Sequence, residues 1–385
     1  MISTLLQYNL HRQWEIPTTY IPRPRYQKVI NEYTELFPVT VLVWMRRTGK
    51  TTLSKLRMYE HISSWEDPRT FCYVSCDHFL LQQYTLFEII ETVRTYHWFS
   101  HSHPLTMIFD EITTITDYQQ QLKNIADLWF TRIVASSSQS RVLRDHKAFL
   151  TWRAGTIEVF PLTYDEYLIF RDIQISPADL HLRKKYFTDY IRDWWIPEYI
   201  RTWRPEVIKE ITNDLIYKDI IAYHAIRDTV VVKDLFMLML ERNGKQISIN
   251  KIANILWTSH DTVTRYLSYM QDTYLYYQVQ RAWKTNEKIR SAKKWYIHDT
   301  GIKHVMTWRK DIWFAYETIC CHARRMQWVT PYYWLIDWVE IDWCINKKLY
   351  ESKFQSSLSP TQKRIKDLVV LDGLEWYEMI MKWNF

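Results

Sequence analysis

Glycine is nearly missing from this chain: there are five in 385 residues, where average usage would be about 7%. So few glycines leave little choice for left-handed turns or for backbone that must lie close to a ligand. Cysteine is equally sparse. The five (Cys72, Cys76, Cys320, Cys321, Cys344) are odd in number and form no C-x-x-C pair. That argues against a disulfide scaffold or structural zinc, and a reduced, cytoplasmic setting is expected. No apolar run approaches the ~18 residues of a membrane span. The opening MISTLLQYNLHRQW has neither the basic start nor the clean apolar stretch of a signal peptide. No internal repeat or low-complexity tract stands out.

What the chain has instead is tryptophan, twenty of them. Trp44, Trp152, Trp194, Trp195 and Trp257 stand where a turn or loop is due and glycine would be the easy residue. The pattern points to a sequence altered on a natural template. With 47% hydrophobic residues the chain can bury a sizeable core, and its length predicts two or three domains. The net charge of +7 is uneven: residues 281–385 hold 18 Lys+Arg against 12 Asp+Glu. A basic C-terminal part suits a nucleic-acid partner, and a solvated basic surface explains it equally well.

The organising stretch is Val39–Leu53, VTVLVWMRRTGKTTL. An apolar β-branched run meets a loop and then a helix-forming sequence, which is the setting of a phosphate-binding P-loop. Within Arg46-Arg47-Thr48-Gly49-Lys50-Thr51-Thr52, Gly49 lets backbone approach phosphates, Lys50 supplies a cation and Thr51 offers a hydroxyl to Mg²⁺. The motif wants glycine at the position of Trp44, where a bulky residue would be strained or would crowd the loop. Further strands are predicted at 71–76, 105–109, 131–135 and 157–160, with helices at 51–60, 86–96 and 122–130. The alternation predicts a parallel α/β sheet. Lys50, Asp110 and Ser136 each fall just past a strand end, where such sheets bind ligands. Asp110 then reads as the Mg²⁺ partner and Glu111 as the base that polarises water. Arg153 is a candidate arginine finger, and a surface arginine explains it as well.

From Tyr164 to about Arg227 the pattern is helical. Three helical segments (232–241, 249–256, 261–273) and a strand at 274–279 outline a winged helix-turn-helix, with Asp261 as the predicted cap of the third helix. DNA contact is one role for it; packing against neighbouring domains is the other. In the hairpin WVEIDWCINKKLYESKF, alternation puts Glu340, Asp342 and Cys344 on one face, with Glu351 and Lys353 sharing a face across a turn at Asn346–Lys348. Carboxylates so placed bind Mg²⁺ for phosphodiester cleavage, or pair across strands on a solvent face.

YIPRPRYQKVI, WMRRTGKTTL, IFDEIT, VFPLTYDEYL and WWIPEYI, with SINKIANIL and SHDTVTRYLSYMQDTYLYYQV, resemble prokaryotic AAA-type P-loop ATPases. Their appended C-terminal domain is similar to the PD-(D/E)xK nuclease superfamily. The resemblance implies a P-loop domain over 1–163, a helical lid over 164–227, a winged helix over 228–290 and a nuclease-like α/β domain over 291–385. It implies ATP and Mg²⁺ held by Lys50, Thr51 and Asp110, with Glu111 as base, and acidic positions at Glu317, Asp342 and Glu351 beside Lys353. DNA is the partner it suggests. No membrane contact is expected, and although rings are common in the family, no residue here reports one.

Overall fold

A computed structural model describes residues 1–13, 20–128, 130–140, 150–176, 178–193, 195–282, 284–307, 311–327, 329–336, 339–345 and 348–382. Trp194, Trp338 and most of the turn expected at Asn346–Lys348 lie outside them. The chain divides into two compact units, Met1–Phe160 and Pro161–Phe385. The first boundary expected from the sequence falls three residues later.

In unit 1, five strands form one parallel sheet in the order β2-β3-β4-β1-β5. They are β1 (Val39–Val43), β2 (Phe71–Ser75), β3 (Leu105–Asp110), β4 (Thr131–Ser137) and β5 (Ala154–Glu158). β1 is buried at every position, as the unbroken apolar run VTVLV requires of a strand covered on both faces. Helices α1 (Ile2–Tyr8), α2 (Pro24–Leu36), α3 (Lys50–Ser63), α4 (Leu86–His97) and α5 (Tyr118–Ala126) complete the unit. Pro24 opens α2, where its missing N–H costs nothing. A capping box of Thr85 and Glu88 opens α4. On edge strand β2 the Asn9 side chain takes the place of a neighbour: its Nδ2 donates to Tyr73 O at 2.9 Å and its Oδ1 accepts from Tyr73 N at 2.6 Å.

Two elements are displaced from expectation. α5 starts at Tyr118 rather than 122, because Tyr118, Leu122, Ile125 and Ala126 form its buried stripe. β5 runs over 154–158 rather than 157–160, because its register on β1 pairs Val39 with Ala154 and Val43 with Glu158.

Unit 2 opens with helices α6 (Tyr164–Phe170), α7 (Leu180–Arg192), α8 (Pro197–Thr202) and α9 (Pro205–Asn213), the last continued by a π-helical stretch Asp214–Ala222. Next come α10 (Thr229–Glu241), β6 (Gln246–Ile247), α11 (Ile249–Ile255) and α12 (His260–Asp272). They are followed by β7 (Tyr276–Arg281), α13 (Thr285–Arg290), β8 (Lys293–Ile297), α14 (Thr300–Thr307) and α15 (Ile312–Arg325). β9 (Tyr332–Ile336), β10 (Val339–Ile345), β11 (Lys348–Lys353), β12 (Leu368–Asp372) and α16 (Gly373–Lys382) end the chain. Its seven strands form one mixed sheet in the order β12-β11-β10-β9-β7-β8-β6. The boundary expected at 290/291 therefore falls between two paired strands, β7 and β8. The cap of α12 is Ser259, whose side chain accepts from Thr262 N at 3.1 Å, and not Asp261, which is fully exposed two residues later.

Candidate functional site

Between β1 and α3 the chain reverses through Trp44–Gly49. Gly49 stands at φ 96° as the N-cap of α3, a conformation that favours glycine. Arg47 takes the other left-handed position, at φ 67°. Trp44 lies outside the left-handed region, so the strain expected there is absent. Its indole is instead fully buried against Phe160, ring centroids 4.2 Å apart. Arg46 is half-buried, Arg47 exposed and Thr48 buried, with Thr48 Oγ1 donating to Met45 O at 3.2 Å.

Lys50, the first residue of α3, is buried, and its ammonium donates to Trp44 O at 2.8 Å, Met45 O at 3.0 Å and Ser138 Oγ at 3.2 Å. Thr51, half-buried beside Thr52 in the same turn, donates from Oγ1 to Asp110 Oδ2 at 2.7 Å. Tyr73 OH reaches the same oxygen at 2.8 Å. Ser136 Oγ donates to Asp110 Oδ1 and accepts from Glu111 N at 3.2 Å. Glu111, itself left-handed at φ 52°, accepts from Ser138 Oγ at 2.6 Å and from Ser138 N at 3.2 Å. A single line of polar contacts thus runs from Lys50 through the Ser138 hydroxyl to Glu111. Burial and then the Asp110 charge raise the Tyr73 phenol and push the Cys76 thiol well up. Burial lowers Lys55, whose ammonium lies 4.1 Å over the Tyr73 ring, while Asp110 opposes that shift.

The structure therefore brings Lys50, Thr51, Asp110, Glu111 and Ser136 together at the carboxyl ends of β1, β3 and β4. Ser136 touches the carboxylate and backbone of Asp110-Glu111, while Ser138 is the serine that meets Lys50. Arg153 is not among them. It precedes β5, beside β1 but at the amino ends of the strands, about 16 Å away by strand rise. There it is paired with Asp127 Oδ1 at 2.5 Å and lies over the exposed indole of Trp152. Arg23 was missed by the sequence reading. Buried beneath the loop, it donates to Thr48 O at 3.0 Å and Phe160 O at 2.9 Å, clamping the loop from below. Its only signal was the RPR ahead of α2.

Unit 2 gathers a second set. Glu317 on α15, Glu340 and Asp342 on β10, and Glu351 on β11 converge on one end of the sheet, and Lys294 of β8 stands among the first three. Lys294 is 1% exposed, and its ammonium lies 2.7 Å from Glu317 Oε1, 2.8 Å from Glu340 Oε1 and 3.3 Å from Asp342 Oδ1. Asp342 Oδ2 accepts from Ser352 N at 3.0 Å and Ser352 Oγ at 2.6 Å. Glu351 pairs with Lys353 at 2.9 Å and accepts from Gln362 at 2.6 Å. Cys344 falls out of the expected alternation, since the β9–β10 register shifts between Ile341 and Cys344. Burial, then Asp342, push the Glu317 carboxyl up to about 8. Against burial, which alone would lower it, the three carboxylates hold Lys294 well above its ordinary value.

Trp195, expected to disturb its loop, is buried with Nε1 donating to Tyr190 O at 2.9 Å and its N–H to Asp299 Oδ2 at 3.0 Å. All five cysteines are buried, and none is in a disulfide. No helix among the described residues is long and apolar enough to cross a membrane.

Residues 37–168 match the AAA domain family, and residues 196–311 match a domain of unknown function (DUF8612). An uncharacterized protein of Methanocaldococcus jannaschii is 26% identical over 290 residues, covering 71% of this chain. The chain spans 64% of that relative's length. An uncharacterized protein of Haemophilus influenzae is 20% identical over 307 residues, or 77% of this chain and 76% of the relative. Among solved structures, a Walker-type ATPase of Pyrococcus abyssi overlays 75% of this chain and 96% of its own, at 14% identity and a TM-score of 0.47. At the level of fold, unit 1 is thus similar to an AAA-type P-loop ATPase domain.

Proposed function

We propose that unit 1 binds ATP with Mg²⁺ and hydrolyses it by attack of water on the γ-phosphate. One observation carries the reading: Lys50, Thr51, Asp110, Glu111, Ser136 and Ser138 form a single hydrogen-bonded network beside a glycine-capped helix N-terminus. The residues present fit the ligand. Gly49 has open space where a Cβ would stand, and the N-terminus of α3 favours anions. Thr51 and Asp110 would hold Mg²⁺, which when bound neutralises charge on the β- and γ-phosphates.

Lys50 exchanges its carbonyl partners, Trp44 O and Met45 O, for phosphate oxygens. Ser138, which accepts from Lys50 and donates to Glu111, holds the Glu111 carboxylate in place to orient the attacking water. The water oxygen bonds to phosphorus as the bond to the ADP oxygen breaks, and the water's proton passes to Glu111. Arg23 holds the loop carbonyl of Thr48 so that the loop's N–H groups stay turned to the ligand.

The test is calorimetric titration with ATP–Mg²⁺ alongside phosphate release. Lys50→Ala should abolish binding, and Glu111→Gln should keep binding while losing turnover. ATP affinity unchanged by Lys50→Ala would overturn the reading.

A second reading, DNA contact through unit 2, has its own observation. Beside α12 runs a groove of about 520 Å³ lined by His260, Gln271, Gln278, Arg290 and Lys293, with no carboxylate among the described lining residues. We read helices α10–α12 with the antiparallel β7–β8 pair as the winged arrangement that such contact needs. Fluorescence anisotropy with duplex DNA tests it: Arg290→Glu should weaken binding and reduce its salt dependence.

A further inference from the structure

The carboxylates of unit 2 are the residues from which a nuclease-type Mg²⁺ site was expected, and as they stand they do not fit one. A divalent ion at their centre would need the position that Lys294 fills. Its ammonium is within 3.3 Å of Glu317, Glu340 and Asp342 together. Further contacts hold the carboxylates in place. Glu340 Oε2 accepts from Gln246 at 2.6 Å, Asp342 Oδ2 is taken by Ser352, and Glu317 Oε1, already on Lys294, also accepts from Tyr296 OH at 2.6 Å. Glu351 is turned to Lys353 and Gln362, with its second oxygen accepting from Asp342 N at 3.3 Å. Among the described residues no group of three metal-binding side chains has the geometry to hold an ion.

We infer that Lys294 is a tethered cation in the place of a divalent metal, held between Glu317, Glu340 and Asp342 from inside the chain, so that unit 2 takes a divalent ion only when that lysine is removed. The physical ground is occupancy: the ammonium already fills the space between the three carboxylates, and a second cation entering there would lie against it and be repelled. The tether favours the lysine, because the ammonium is already ordered by strand β8 and gives up no translational freedom. Lys294 thereby ties β8 to α15 and β10 through the cluster, a structural role that needs no metal. The inference is independent of the ATP reading, since it concerns only unit 2.

The test uses the full chain carrying Asp110→Asn, which silences the carboxylate of unit 1, in the absence of nucleotide. Mn²⁺ alone is the probe, followed by electron paramagnetic resonance and calorimetry. The parent should show no Mn²⁺ binding that depends on Asp342. Lys294→Met should gain one Mn²⁺ per chain, at least tenfold tighter than anything in the parent, and Lys294→Met/Asp342→Asn should lose it. A parent site abolished by Asp342→Asn would overturn the inference, as would a folded Lys294→Met chain that gains no ion. Should Lys294→Met fail to fold, the comparison of parent with Asp342→Asn still decides: unchanged binding supports the inference, lost binding overturns it.

Discussion

The Thr51 hydroxyl donates to Asp110 Oδ2 over 2.7 Å, joining the first turn of α3 to the end of β3 across 59 residues of chain. These are the two groups assigned to Mg²⁺. If the assignment holds, Thr51→Val should lower ATP affinity in the presence of Mg²⁺ by about 10- to 100-fold, the ~1.5–3 kcal/mol of an interaction with a charged partner. Affinity for ATP in EDTA should barely change. Calorimetry under both conditions separates the cases. An equal loss in both would mean that Thr51 shapes the loop instead of serving the ion.

Ser138 is the joint between cation and base, accepting from Lys50 at 3.2 Å and donating to Glu111 at 2.6 Å. Its removal should leave ATP binding within about threefold of the parent. Turnover should fall by about 10²-fold, at the low end of what a positioned base contributes. Steady-state phosphate release of Ser138→Ala, set beside Ser138→Thr as the rescue, measures this. A change confined to KM would contradict the placement of Ser138 on Glu111.

How much of this was legible depended on whether the signal was local. The β1–loop–α3 passage, the Asp110-Glu111 strand end and most helix positions follow from hydrophobic periodicity and glycine placement. Arg23, Tyr73 and Lys294 were invisible because each finds its site partners 23 or more residues away, or through strand order that no spacing encodes. Arg153 was misplaced for the same reason: nearness in sequence to Ser136–Ser138 hid the turn of the chain to the far end of β5. Trp44 misled differently. Its position in the motif implied a glycine backbone, whereas the left-handed angles fall on Arg47 and Gly49.

Elsewhere tryptophan does sit in glycine's conformation. Trp65, Trp98 and Trp257 have φ of 67°, 59° and 51°, and all three are at least 88% exposed. Left-handed backbone costs a residue with a Cβ about 1–2 kcal/mol, and these indoles bury too little to offset it. Glycine loses more chain entropy on folding, about 0.5–1 kcal/mol, so each change to glycine should net roughly 0.5–1 kcal/mol of stability. Trp44→Gly should do the reverse, costing about 3 kcal/mol or more through the cavity beside Phe160. Urea denaturation of the four single variants gives the comparison. A loss at Trp98→Gly as large as that at Trp44→Gly would show that the exposed indoles pack.

Two of the buried imidazoles of unit 2, His298 and His322, have ring centroids 5.3 Å apart. Burial, then Arg325, push His322 down to about 3; burial, then Arg325 and His322, hold His298 well below its ordinary value. Each is therefore neutral in the fold at a pH where the unfolded chain, with a pKa near ~6.5, takes up a proton. Above about pH 6.5 neither state binds that proton and the effect is absent. As pH falls from there toward 3, the unfolded state gains protons that the fold refuses. Stability is then lost at about 1.4 kcal/mol per pH unit for each histidine. Burial raises Asp299 to about 6 and Glu317 to about 8. Those two groups act with the opposite sign, since protonation relieves their burial, so the bare pH profile of the parent mixes both effects. The difference between parent and His322→Gln isolates one term. In urea melts at pH 7.0, 5.5 and 4.5, the parent should lose about 1.4 kcal/mol per unit relative to the variant once below about pH 6.5. A parent–variant difference that stays constant across that range would mean that His322 titrates normally and is reached by solvent.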